Sequence, residues 1–390
     1  MNDVRPSLLI ISHTYAIDEH AKKLAALNAH FEVLCVTVSH ADSGLPPRPE
    51  DASTSQAPDF RLRLPILGKV SWNRFIYRGL WAVFRQRHWD YVLVEAEPWL
   101  PVKWQSFLLA RLSGKVGRYG EFTWENLRRP GLKGWILEPV YRLSACWLDF
   151  WIAGNVAAGQ ILRESGMEAS RVLVCTQVGV DVDHAPVRSE ETRRALRLKH
   201  GIPPEAFVAG FAGRLVKEKG IRDLVAAVRQ LRAEGGMSRD VHVALMGGGR
   251  LRDELEKISQ AEPWLHVLPK VSHEQVAGHL QIMDLLVLGS HPYHEDGNCW
   301  EEQFGHILVE AMACGVAVAG SDSGAIPEVI GDPAMIFPVG DVPALAGLVR
   351  RCCNEPSFFK ERQLAQSRRV RGQYTHEKVA QIHADFLKSL

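Results

Sequence analysis

Short, almost wholly apolar runs recur along the chain, each followed by a polar loop and a helical pattern, and this alternation restricts the fold more than any other feature. SLLIIS at 7–12 reads as a buried strand, a helix follows through 21–27, and FEVLCVTV at 31–38 is a second strand, which together make a βαβ unit. The Pro-, Ser- and Asp-rich stretch at 41–59 is loop. Beyond it come a helix at 71–87, the strand YVLVEA, the helix VKWQSFLLARLSG, and further strands in WLDFWIAG and RVLVCTQVGV. A linker at 183–189 separates this half from a second alternating series: FVAGFAGRL, VHVALMGGG, WLHVLP, DLLVLGS and VAVAGS. The prediction is an α/β protein of two Rossmann-like domains, each a mostly parallel sheet covered by helices, facing each other across a cleft. A length of 390 residues agrees, since one core stops growing well below that size.

A formal net charge of +1 argues against a surface given over to nucleic acid. Seven cysteines include no CxxC pair, which suits neither a zinc site nor a disulfide framework and points to reduced thiols. The apolar run at 8–11 is too short for a signal segment, and no later run reaches about 18 uninterrupted apolar residues. A cytoplasmic protein is expected. The region 61–142 holds 15 Lys and Arg against 6 Asp and Glu. Its apolar residues at helical spacing allow two readings, peripheral contact with the inner face of an anionic membrane, or a helix packed on the sheet with its arginines in solvent.

The segment EQFGHILVEAMACG at 302–315 sets Glu302 and Glu310 eight positions apart around a Phe-Gly turn that opens an apolar helix. Gly305 permits backbone angles closed to other residues, and amides of Phe304, Gly305, His306 and Ile307 at a helix N-terminus favour an anion. Carboxylates accept hydrogen bonds from hydroxyls, so the spacing suits a sugar joined to a phosphate. Ordinary solvated charge is the alternative. In FAGRLVKEKG, Arg214 and Lys219 follow Gly213 at a strand end, where two cations can clamp a diphosphate.

These segments, with SDSGAIPEVIGD at 321–332, resemble the C-terminal domain of retaining glycosyltransferases of GT-B fold, family 4. GVD at 179–181 looks like the family's interdomain marker, and QYTHEKVAQIHADFL like its terminal helix. The resemblance implies an acceptor-side domain at 1–182, a nucleotide-sugar domain at 183–370, and a helix at 371–390 returning to the first domain. It implies that Arg214 and Lys219 meet the donor diphosphate, Glu310 the ribose, and Glu302 the transferred sugar. The amides from Phe304 to Ile307 approach sugar or phosphate, and the loop at Val271 receives the base. No metal and no other cofactor is expected. The implied reaction moves a sugar, with retention, from a nucleotide diphosphate donor to a glycan or lipid-linked acceptor. A nucleotide-sugar epimerase of related fold and a non-catalytic binder remain alternatives.

The chain departs from the family in its first half. SHTYAIDEH has no Gly-Gly pair, leaving His13 in that loop, and RYGEFTWEN places Glu121 where members have a histidine. Both are acceptor-side candidates, Glu121 being equally readable as a loop carboxylate. Asp181 and Asp183 form a DxD pattern better suited to tethering the linker than to metal. GGGR at 247–250 is a weak phosphate-loop signal. HPYHEDGN at 291–298 reads as a mobile loop lining a sugar pocket, with Asp296 and Asn298 as hydroxyl contacts.

Overall fold

The computed structural model describes residues 5–39, 59–70, 74–183, 185, 189–295 and 298–390. The chain divides into two compact units, Met1–Gly179 with Thr375–Leu390, and Val180–Tyr374.

The first unit contains β1 (Ser7–Ile11), β2 (Glu32–Val38), β3 (Arg61–Leu64), β4 (Ile66–Lys69) and β5 (Arg74–Tyr77). β6 (Trp89–Glu95), β7 (Val116–Thr123), β8 (Phe150–Ala153) and β9 (Val172–Val174) follow. Seven of these form one sheet in the order β3-β2-β1-β6-β7-β8-β9, with every pairing parallel. Every residue of β1 and β8 is buried, as a strand covered on both faces requires. The helices are α1 (Asp18–Leu27), α2 (Leu80–Gln86), α3 (Pro101–Ser113), α4 (Gly131–Trp147) and α5 (Val156–Glu164). Asn155 caps α5, its side chain accepting from the Ala158 amide at 2.8 Å.

Of the helix expected over 71–87, only the last part forms, as α2 at Leu80–Gln86. Arg74–Tyr77 is instead β5, paired antiparallel with β4 as a hairpin. Gly79, at φ 81°, then ends the hairpin and starts α2. Phe75 and Tyr77 alternate inward and are buried, so the apolar repeat has two causes, a strand and then a helix.

In the second unit α6 (Glu190–Lys199) precedes β10 (Phe207–Ala212), α7 (Ile221–Glu234), β11 (Val241–Met246), α8 (Arg252–Ala261), β12 (Leu265–Leu268) and α9 (His273–Leu280). Next come β13 (Leu285–Leu288), β14 (Tyr293–Glu295), β15 (Asn298–Trp300), α10 (His306–Ala313), β16 (Ala317–Ser321), α11 (Ile326–Ile330), β17 (Ile336–Phe337), α12 (Val342–Asn354) and α13 (Pro356–Gln373). The sheet runs β12-β11-β10-β13-β16-β17, again wholly parallel. α6 is pinned by Arg197 and Arg193, which reach the buried Asp284 carboxylate at 2.9 and 3.0 Å. Burial pushes that carboxyl up, and the two guanidiniums outweigh it, leaving it below its ordinary value.

The last helix, α14 (His376–Ser389), belongs to the first unit. Its Ala380, Ala384 and Leu387 join a core with Leu24, Leu27 and Phe31. The two sheets fit the two Rossmann-like domains predicted from the alternating pattern. Among the described residues no helix is long and apolar enough to cross a membrane.

Candidate functional site

In the second unit the carboxyl ends of the adjacent parallel strands β10 and β13 bring Lys219 and Glu302 together. Gly213 follows β10 at φ 146°, and its amide bonds to the Met246 carbonyl at 2.9 Å. A Cβ on Gly247 would meet the Gly213 carbonyl oxygen at 1.8 Å, and one on Gly249 would meet the Leu215 oxygen at 2.3 Å. The glycines of GGGR therefore let two strand-end loops pack backbone to backbone, which accounts for that motif without a ligand.

After β10 the chain passes exposed Arg214 and a short turn at Lys217–Lys219. Gly220 then starts α7 at φ 66°, so close to the loop after β13 that a Cβ would lie 1.9 Å from the Gly289 oxygen. This approach brings Lys219 to Glu302. Lys219 Nζ lies 2.5 Å from Glu302 Oε2 and 4.5 Å from the centre of the Trp300 ring. Ser290 donates to the same carboxylate oxygen at 2.7 Å, and Ser321 fixes Ser290 through its carbonyl at 2.8 Å. The Glu302 carbonyl accepts from the Ala325 amide at 2.9 Å, so the SDSG loop after β16 holds it in place. An ammonium has three donors, and the bond to Glu302 uses one.

Gly305 takes the left-handed conformation at φ 78° and starts α10. A Cβ there would lie 2.8 Å from Leu288 Cδ2, so glycine is needed for space as well as for angle. Phe304 is buried, packs on His306 at 4.8 Å between ring centres, and meets Tyr374 edge-on at 5.7 Å. Ile307 and Glu310 are half-buried on the first turns of α10. Val271 is half-buried in the loop between β12 and α9, just before the Ser272–Gln275 capping box. The hairpin β14–β15 replaces the loop expected at 291–298, and Asp296 lies outside the described residues. His291 is tied to α7 by a bond to Asp223, a contact the sequence gave no sign of.

In the first unit, His13 is half-buried after β1, its ring edge-on to Phe75 at 5.9 Å. Burial lowers its pKa, against a smaller opposing pull from Glu95. Glu121 is inside β7 and fully buried, 3.3 Å from Lys103 Nζ. Burial pushes its carboxyl up to about 7, with Lys103 acting the other way. Lys103 also donates to Ser144 at 2.8 Å and lies 4.6 Å from the Trp104 ring centre.

Sequence reasoning missed a buried network at this strand edge. Glu95 accepts from Tyr15 at 3.0 Å and from Gln177 at 2.7 Å, while Lys23 donates to the Gln177 carbonyl at 2.5 Å. Gln177 also reaches Thr14 at 3.0 Å and receives the Trp124 indole N–H at 3.1 Å. It thereby fixes the loop that holds His13. Glu97, just past β6, accepts from Thr123 at 2.5 Å and the Trp124 amide at 3.0 Å. Burial raises its carboxyl to about 7 despite those bonds. Asp181 accepts from the Asp183 amide at 3.1 Å, a local turn. Among the described residues no group of three His, Cys, Asp or Glu side chains is placed to hold a metal ion.

Residues 192–371 match the model of the family described as glycosyl transferases group 1. The chain is 32% identical over 190 residues to the 2-deoxystreptamine N-acetyl-D-glucosaminyltransferase of Streptomyces fradiae, covering 45% of this chain and 42% of that protein. It is 28% identical over 190 residues to the N-acetyl-alpha-D-glucosaminyl L-malate synthase of Bacillus anthracis, covering 47% and 46%. The chain thus spans less than half the length of these curated relatives. Among solved structures, Anabaena HepE in complex with UDP aligns at TM-score 0.69 and 16% identity, over 98% of this chain and 100% of that one. Sucrose-phosphate synthase from Thermosynechococcus elongatus aligns at 0.67 and 16%, over 99% of each. The chain therefore has the two-domain GT-B fold, and within its second unit residues 192–371 are similar to the glycosyl transferases group 1 family.

Proposed function

We propose that the protein is a retaining, metal-independent glycosyltransferase whose second unit holds a nucleotide diphosphate sugar. The observation that supports it most is the Lys219–Glu302 pair at 2.5 Å, set beside the N-terminus of α10 at parallel strand ends. Arg214 and Lys219 neutralise the diphosphate, and Glu310 accepts from the ribose hydroxyls. Glu302 accepts from hydroxyls of the transferred sugar while holding Lys219 in register. The amides from Phe304 to Ile307 approach the sugar or its phosphates, and the loop at Val271 receives the base. The complexes of HepE with UDP, with UDP and glucose, and with UDP-glucose give this donor class a precedent on the same fold.

In the reaction, the bond from the anomeric carbon to the β-phosphate oxygen breaks and its electron pair leaves with the diphosphate. The acceptor oxygen bonds to the same face of that carbon, and its proton passes to the departing phosphate. No enzyme carboxylate forms a bond to the sugar, unlike the double displacement of retaining glycosidases. The acceptor is a glycan or lipid-linked saccharide. His13 and Glu97, at strand ends of the first unit, are our candidates to orient it, while the burial of Glu121 suits a structural pair with Lys103.

Product analysis with a donor panel tests the reading. Sugar transfer to an added saccharide acceptor, undiminished by EDTA, is the expected result. Interconversion of the donor sugar without acceptor would assign an epimerase, and loss of activity with EDTA would contradict the cationic clamp.

A further inference from the structure

Solvent-facing sides of helices on a parallel sheet are ordinarily polar. On α7 the outward positions obey this, with Arg222, Arg229, Arg232 and Glu234 exposed and the three arginines answered by Glu254, Glu262 and Asp240. In the first unit α4 does the reverse. Among its described side chains, Trp135, Ile136, Leu143, Cys146 and Trp147 are exposed along one stripe, with Arg142 as the single charge among them. Trp135 is 76% exposed. α3 repeats the pattern, with Leu108 and Leu112 outward on either side of Arg111, and Leu112 65% exposed. The two faces adjoin, since Phe107 stacks on Trp147 at 5.6 Å and Arg111 donates to the Trp147 carbonyl at 2.5 Å.

We propose that this joint face of α3 and α4 docks on an anionic membrane surface. Lys115 is exposed beside it and adds to Arg111 and Arg142, whereas the acids nearby are already partnered: half-buried Glu138 with Arg128 and Arg142, half-buried Asp149 with Arg118, and exposed Glu164 with Arg128 at 3.1 Å. Positive charge around an aromatic and aliphatic face is complementary to anionic headgroups above acyl chains. Tryptophan favours that boundary, and arginine can keep its head in the polar layer while its stem lies along apolar surface. A second copy of the chain fits poorly. A two-fold contact is self-complementary, and these faces would set Arg111 and Arg142 against their own copies, while the exposed acid at their edge, Glu164, is already held by Arg128. The inference stands on this surface alone, independently of the donor chemistry. Within the region 61–142 it puts the peripheral membrane contact on α3 and α4 and not on 71–87, because that segment is not one helix.

The test is flotation of the full-length protein with equimolar phosphatidylcholine–phosphatidylglycerol vesicles and with pure phosphatidylcholine vesicles. An environment-sensitive dye on Cys146 follows the face directly. The expected result is binding to the anionic vesicles, weakened by salt, with a blue shift of the dye. Trp135→Ser combined with Leu112→Ser should lower that binding by about tenfold, with an unchanged melting temperature because both side chains are exposed. Three outcomes would overturn the proposal: no flotation with anionic vesicles, equal flotation of wild type and variant, or a stable dimer in solution that the same variant dissociates.

Discussion

Two lysine–glutamate pairs, one in each unit, use the same chemistry at different addresses. Lys219–Glu302 sits at the carboxyl ends of β10 and β13, with side chains 13% and 9% exposed, and Lys219 lies over Trp300. Lys103–Glu121 sits between α3 and β7 with side chains 2% and 0% exposed, and Lys103 lies over Trp104. Both place an ammonium against a carboxylate beside an indole. Only the first lies where an open α/β sheet presents groups to a ligand. The second is sealed, so it serves cohesion and orientation of the core. Strand-end position, more than residue type, is what makes the first pair the candidate for a functional role.

The largest expected effect separates the pairs by readout. Lys219→Ala should reduce sugar transfer by about 10²–10³-fold with little change in melting temperature, because the role is electrostatic and close to solvent. Lys103→Ala should instead destabilise the first unit by about 3–5 kcal/mol, since it strands a buried carboxylate. The double change Lys103→Met with Glu121→Gln should recover most of that loss by removing both charges together. Denaturant unfolding and an activity assay on the same preparations read the contrast, and an exchange of the two phenotypes would reverse the assignment.

A smaller effect concerns pH. The folded Glu121 carboxyl titrates near 7 against an ordinary value of 4.5, so the fold holds a proton that the unfolded chain has released between those values. Its contribution is therefore greatest below about 4.5 and is lost as pH rises towards 7. Glu121→Gln should flatten the fall in stability over that window without abolishing it, because Glu97 titrates in the same range with the same sign. A variant whose stability falls as steeply as the wild type would remove Glu121 from the balance.

Much of this was legible in the sequence where the signal is local. Apolar runs bounded by Gly and polar residues marked most strands, since a strand buried on both faces needs little else. Arg214, Lys219 and the Glu302–Glu310 spacing could be read because each is fixed by a strand end and the glycine turn beside it. The bond between Lys219 and Glu302 could not be read, as it depends on the close approach of Gly220 to Gly289 across two loops. Glu121 looked like a loop residue because RYGEFT breaks the apolar pattern, and only the fold shows Lys103 lying opposite. The 71–87 segment misled for a different reason. Its apolar spacing satisfies a helix, while pairing with ILGK turns its middle into a strand. Nothing in the spacing of Trp135, Ile136, Leu143 and Trp147 said which way their stripe would face, and the usual expectation is inward.

The central claim is that the strand ends of the second unit bind a nucleotide diphosphate through Lys219 and Glu310. Calorimetric titration of UDP, GDP and ADP into the wild type, Lys219→Ala and Glu310→Ala tests it most directly. The account predicts that at least one of the three nucleotides binds the wild type and that each variant binds it about tenfold more weakly, as the loss of one charged hydrogen bond implies. Binding of none of them, or equal binding by wild type and both variants, would contradict it.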